Sequence, residues 1–179
     1  MVLKRFAAGF VVAVALLLSG CSHPGNAAAT VNGTSISEVE LLESAQAMKE
    51  IVEANTGPTE YDYIGICLDY RIYAVLLADV QKEMDIPITD EERNTWWSEN
   101  IQPQTVDFEL WGDPRTKRTV VGFIDQEILM ARVDAGEIDQ DELYSALMSK
   151  PVIVNPRYSR VSGQEIGPLA EPRDLLPAG

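Results

Sequence analysis

Thr30-Val31-Asn32-Gly33-Thr34-Ser35-Ile36-Ser37-Glu38-Val39-Glu40 carries two structural signals in succession. Asn-Gly between β-favouring residues is the strongest short hairpin signal, because the turn needs positive φ at both central positions. Ser37 and Glu40 then stand at capping-box spacing, hydroxyl at the cap and carboxylate three residues later. The stretch predicts a tight hairpin that passes directly into a helix.

That helix should run to about Asn55, with Val39, Leu42, Ala45, Met48 and Val52 on its buried face. Gly57-Pro58 ends it. Thr59 can cap a second helix from about Glu60 to Met84. It is apolar nearly all round, through Tyr63, Ile64, Ile66, Cys67, Leu68 and Ile72, as expected of a helix enclosed by its neighbours. Asp62, Asp69, Arg71 and Asp79 argue against a membrane span. Cys67 in its middle reads as a small buried apolar residue. Pro87 breaks the chain, and Thr89-Asp90-Glu91-Glu92 caps a short helix to about Asn100.

Ile101 to Trp111 shows no regular apolar stripe and reads as irregular. Asp113-Pro114 reads as the cap and first residue of a helix to about Ala135, with Val121, Ile124, Ile128 and Ala131 inward and Gly136 at its end. Asp139 caps a last helix with Leu143 and Leu147 inward. Pro151-Val152-Ile153-Val154 is a short strand suited to pair with the strand around Val31. The expected fold is mainly α, with about five helices and a small β element joining the two ends of the domain.

Ahead of this domain lies a charged start (Lys4, Arg5), an apolar run from Phe10 to Leu18, and a small-residue cleavage site, the pattern of a secretory signal. Leu18-Ser19-Gly20-Cys21 resembles the lipobox of bacterial lipoproteins. The resemblance implies a diacylglycerol on the Cys21 thiol, cleavage before Cys21, and an extracytoplasmic protein anchored to the cell membrane by lipid. Two alternatives stand beside it. A transmembrane anchor needs about 20 apolar residues, more than this run supplies; an ordinary signal peptide could carry a Cys at its cut by chance. The organisation is then residues 1–20 as signal peptide, 21–29 as lipidated tether, 30–155 as folded domain, and 156–179 as a Pro- and Gly-rich tail expected to be extended or mobile.

Composition narrows the function. The chain has 179 residues and a net charge of −14. Loss of the signal with Lys4 and Arg5 leaves 12 basic against 28 acidic residues. Such a surface repels phosphate backbones, so no nucleic acid is expected. With Cys21 acylated, Cys67 has no partner for a disulfide. The single histidine, His23, lies in the tether, which leaves the domain without a Ser-His-Asp triad, a Cys-His dyad or a multi-histidine metal site. No nucleotide fingerprint is present. No cofactor, metal or catalytic residue is therefore assigned; carboxylate-pair chemistry stays open, with no pair singled out.

The order of lipobox, linker, Ala29 to Ser37 and Glu-rich amphipathic helix resembles the SurA/PrsA N-terminal chaperone-domain family, where a "VNG-x-x-I" strand and turn precede the first helix. Ile86-Pro87-Ile88-Thr89-Asp90-Glu91-Glu92 is similar to the start of a later helix in that family. Val154-Asn155-Pro156-Arg157-Tyr158 resembles the C-terminal strand of small exported lipoproteins of this type. The resemblance implies a mostly helical domain that holds unfolded or partly folded exported proteins without ATP. It does not bring isomerase activity, because the chain has no room for a parvulin domain. Trp96, Trp97, Phe108 and Trp111, clustered in the stretch least explained by periodicity, are the candidate polypeptide contacts. Core packing competes for the same rings. The alternative function is an envelope scaffold that docks one folded partner.

Overall fold

The computed structural model describes residues 26–103 and 105–158. Residues 1–25 and 159–179, including Cys21, where lipidation is expected, lie outside the described residues. The elements in order are β1 (Ala27–Val31), β2 (Thr34–Ser37), α1 (Glu38–Thr56), α2 (Tyr63–Glu83), α3 (Asp90–Asn100), α4 (Val106–Gly112), α5 (Lys117–Asp134), α6 (Gln140–Met148) and β3 (Val152–Val154). The fold is mainly α, with six helices among the described residues and one small antiparallel sheet ordered β2-β1-β3.

Local chemistry explains the hairpin. Asn32 and Gly33 have φ of 46° and 82°, both positive, as a primed two-residue turn requires. β3 lies on the other side of β1, with Ala29 opposite Val154 and Val31 opposite Val152. Asn32 N donates to Pro151 O (2.8 Å), and Asn155 N donates to Ala28 O (2.9 Å). The sheet thus joins the two ends of the domain. It also widens the expected limits: β1 begins at Ala27, and Tyr158 is buried. The Tyr158 hydroxyl donates to Glu38 Oε1 (2.7 Å), where Arg157 Nη1 also donates (2.6 Å).

The helices start on different chemistry than the spacing suggests in three places. Ser37 Oγ accepts from Glu40 N, but the Glu40 carboxylate does not close a capping box. It accepts from Arg71 (3.2 Å) and Arg118 (2.7 Å) instead. α2 is capped by Asp62, which accepts from Gly65 N (3.0 Å); Thr59 bonds the Tyr63 hydroxyl. Asp113-Pro114 does not open α5. Asp113 caps the C-terminus of α4, whose own cap is Thr105, and α5 follows Thr116. The stretch expected to be irregular therefore contains a short sixth helix. The Thr89–Glu92 capping box is complete.

Two buried stripes are rotated from the expected ones. On α1, Leu41, Ser44, Ala45, Ala47, Met48 and Val52 are buried, whereas Val39 and Leu42 are exposed. On α5 the interior residues include Val120, Phe123, Ile124, Ile128 and Leu129; Val121 is half-buried and Ala131 exposed. The most extensive helix contact joins α2 to α5, and it is set by backbone approach. A Cβ at Gly122 would overlap the Tyr70 carbonyl oxygen and lie 3.1 Å from Ala74 N.

An ion pair with a buried carboxylate fixes α3 against the same two helices. Asp125 accepts from Arg93 Nε (2.6 Å) and Nη2 (2.8 Å) and from Gln81 Nε2 (3.0 Å). Gln81 Oε1 accepts from Ile88 N (3.1 Å), so one glutamine also pins the loop before α3.

Gly122→Ala should destabilise the protein by more than about 2 kcal/mol, because overpacking outweighs a helix-propensity gain of about 1 kcal/mol. Gly112→Ala, whose Cβ would meet nothing within 4 Å, should stay within about 1 kcal/mol of the parent. Equilibrium urea denaturation checks both; equal midpoints for the two variants would contradict the packing account.

Candidate functional site

The four aromatic candidates do not form one surface. Trp97 is buried on the inner face of α3 and stacks on Trp111 of α4, with centroids 5.3 Å apart and planes 23° apart. Lys117 Nζ sits 2.9 Å from the Trp111 ring centroid, a cation–π contact; burial there lowers the ammonium below its usual range. Trp96 is half-buried and meets Phe123 of α5 edge-on at 5.7 Å. Phe123 in turn meets Tyr70 edge-on at 5.7 Å. Three of the four rings therefore seat α3 and α4 on α5. Trp97 is a correction to the sequence-based site, because its buried ring has no face to offer a polypeptide. Phe108 alone of the four is well exposed, at 45%.

A different surface is concave. An open groove of about 650 Å³ runs along α1 beside the start of α2. Leu42, Ala45, Gln46 and Lys49 line it from α1; Tyr61, Tyr63 and Ile64 line it from the other side. Tyr61 and Tyr63 meet edge-on at 5.9 Å, and Lys49 Nζ lies 5.9 Å from the Tyr63 ring. Glu43, Asp62 and Arg115 complete its lining. Leu42 is 41% exposed and Val39, on the preceding turn, 60% exposed. An apolar floor with a few charged groups suits an apolar segment of a ligand, with polar groups fixing its orientation.

Sequence reasoning placed Leu42 and Val39 in the core because they recur at helical spacing with Ala45 and Met48. Leu41 was the available signal. It competes with Leu42 for the interior, and the stripe Leu41, Ser44/Ala45, Met48, Val52 is equally regular.

The buried polar groups nearby are committed to structure. Ser44 Oγ donates to the Arg115 carbonyl and accepts from Arg71 Nη2 (3.2 Å). A hydroxyl whose proton is already given to a carbonyl is not arranged as a nucleophile. Cys67 is fully buried, and burial pushes its thiol up to about 12, far from a reactive thiolate. Among the described residues, no group of three or more His, Cys, Asp or Glu is placed to hold a metal ion. Comparisons with protein-family models, curated proteins and solved structures found no match to this chain.

Trp97→Ala should cost about 3–5 kcal/mol, the usual loss for a buried aromatic. Phe108→Ala should stay within about 0.5 kcal/mol, as surface changes do. Denaturation midpoints decide; a neutral Trp97→Ala would return that ring to the list of surface contacts.

Proposed function

We propose that this protein is a lipid-anchored, extracytoplasmic, chaperone-like binding protein that holds unfolded or partly folded exported polypeptides without ATP. The observation that carries the reading is the groove beside α1, with Leu42 41% exposed and the half-buried Tyr61 and Ile64 across from it. Leu42, with Val39 one turn before it, leaves apolar surface of α1 open to contact. The groove is open rather than enclosed, which fits an extended chain better than a small molecule. Shallow apolar contact would leave the client sequence loosely restricted.

The surrounding chemistry agrees. The acidic surface, with 12 basic against 28 acidic residues after signal loss, keeps loaded complexes apart in solution. Leu18-Ser19-Gly20-Cys21 supplies the lipid anchor, and no described helix is long and apolar enough to cross a membrane. The resemblance to the SurA/PrsA N-terminal domain points the same way, although the contacts proposed here lie on α1 and α2 rather than on the tryptophans. A scaffold that docks one folded partner is the competing function.

Two measurements test this. Metabolic labelling with a lipid precursor should mark the parent and leave Cys21→Ser unlabelled; equal label in both would remove the anchor. The parent should suppress aggregation of a reduced, unfolded model protein. Leu42→Glu should weaken suppression at least about threefold, a loss on the order of 0.7 kcal/mol of binding, with circular dichroism unchanged. No suppression by the parent at several-fold excess would end the chaperone reading in favour of the scaffold.

A further inference from the structure

The charges lining the groove are not balanced. Its two cations are already committed to carboxylates that lie outside the lining. Lys49 Nζ donates to Glu53 Oε1 (2.7 Å). Arg115 donates to Asp113 Oδ2 through Nη2 (2.8 Å) and to Glu50 Oε2 through Nη1 (3.2 Å). Hydrogen bonding to these acceptors raises both cations above their usual ranges. The two lining carboxylates are in the opposite position. Glu43 and Asp62 are exposed. Asp62 Oδ1 accepts from Gly65 N (3.0 Å) as the cap of α2. Among the described residues, neither carboxylate belongs to an ion pair. A chain entering the groove therefore meets two negative charges without counter-ions.

Each wall joins a carboxylate to an apolar contact. On α1, Leu42 is 41% exposed and Glu43 follows it. Across the groove, half-buried Tyr61 and Ile64 stand on either side of Asp62 in sequence. The volume of about 650 Å³ falls within the ordinary range of ligand sites, about 300–1,000 Å³, and takes a few residues of chain. Lys and Arg match such walls in both parts, because the stem lies along apolar surface while the charged head reaches a carboxylate. A Glu- or Asp-bearing segment would meet like charge on both sides. The acidic surface as a whole, 12 basic against 28 acidic residues after signal loss, draws cationic chains toward the domain before contact.

We infer that the groove selects extended polypeptide segments in which Lys or Arg stands next to apolar residues. Glu43 and Asp62 receive the cation, and Leu42, Tyr61 and Ile64 receive the apolar side chain. This rests on the polypeptide-binding reading of the groove and gives it a substrate class. Leu42 supplies contact to any apolar segment, whereas the two carboxylates decide which segments stay. Exposed ion pairs are individually weak, so the discrimination expected is about tenfold, the equivalent of about 1.4 kcal/mol.

The test is fluorescence anisotropy with the full chain at about 0.1 M salt, where exposed charges still act over about 10 Å. The probes are three labelled ten-residue peptides with the same leucines among serines, carrying three lysines, three glutamates or no charge. The lysine peptide should bind at least tenfold tighter than the glutamate peptide, with the neutral one between. Glu43→Gln combined with Asp62→Asn should bring that ratio below about threefold; asparagine still caps α2, so the fold is kept. Glu91→Gln combined with Asp141→Asn, exposed acids outside the groove, makes the same change in net charge and should leave the ratio unchanged. An equal fall in both double variants would assign the preference to the general surface and overturn the inference. Leu42→Ser separates the two layers. Equal binding of all three peptides, weakened by Leu42→Ser, removes the charge selection and keeps the groove. Binding of none, or binding that Leu42→Ser leaves untouched, removes the groove reading and the selection with it.

Discussion

The approach of α5 to α2 at Gly122 sets the rest of the fold. Helices whose side chains alone define their spacing lie about 8–10 Å apart; here the missing Cβ brings the α5 backbone against the Tyr70 carbonyl. Asp125 lies three residues further along α5 and lands against Gln81 and Arg93. One end of α2 thereby receives α3, through a bidentate ion pair whose remaining capacity is filled by an amide. Such a pair adds little compared with apolar packing, but losing Arg93 leaves the buried Asp125 carboxylate uncompensated at a cost of about 3–5 kcal/mol. The pair therefore acts as a geometric constraint. With α3 held there, Trp96 meets Phe123 and Trp97 meets Trp111, and α4 closes over them.

An adjacent stripe of α2 receives α1, through Met48 beside Cys67 and Arg71 beside Glu40 and Ser44. The sheet then fixes the end of the chain at the start of α1. The groove is a consequence of this arrangement. α1 turns Leu41, Met48 and Val52 to the interior and leaves the edge bearing Leu42 and Lys49 facing the Tyr61–Ile64 segment. Burial of that edge would require another element beside it, and none of the described elements takes that position.

Features encoded within a few residues were legible in the sequence. Asn32-Gly33 gave a primed turn because only such residues accept both positive φ values, and Thr89–Glu92 gave a complete capping box. The pairing of Val152–Val154 with β1 was also readable, since short β-branched runs at the two ends had few other partners. Features decided by tertiary contact were not. Leu41 and Leu42 are adjacent and both apolar, so periodicity could not say which faces inward. Asp113 resembles a helix start, yet Thr105 and Thr116 place it between two helices. The aromatic stretch looked irregular because α4 is only two turns long, too short for periodicity to register. The groove was hidden for the same reason as the α1 stripe, since its Leu42 reads as core in isolation.

The division of labour that follows is specific. The tryptophans hold α3 and α4 on α5, and α1 with the start of α2 presents the proposed contact surface. Methyl NMR of the full chain, titrated with a reduced, unfolded model polypeptide, tests this most directly. The account predicts that the shifts gather on Leu42, Ala45 and Ile64, which line the groove, while Val106 and Leu110 beside Phe108 stay in place. Shifts centred on Val106 and Leu110, with Leu42 unmoved, would contradict it.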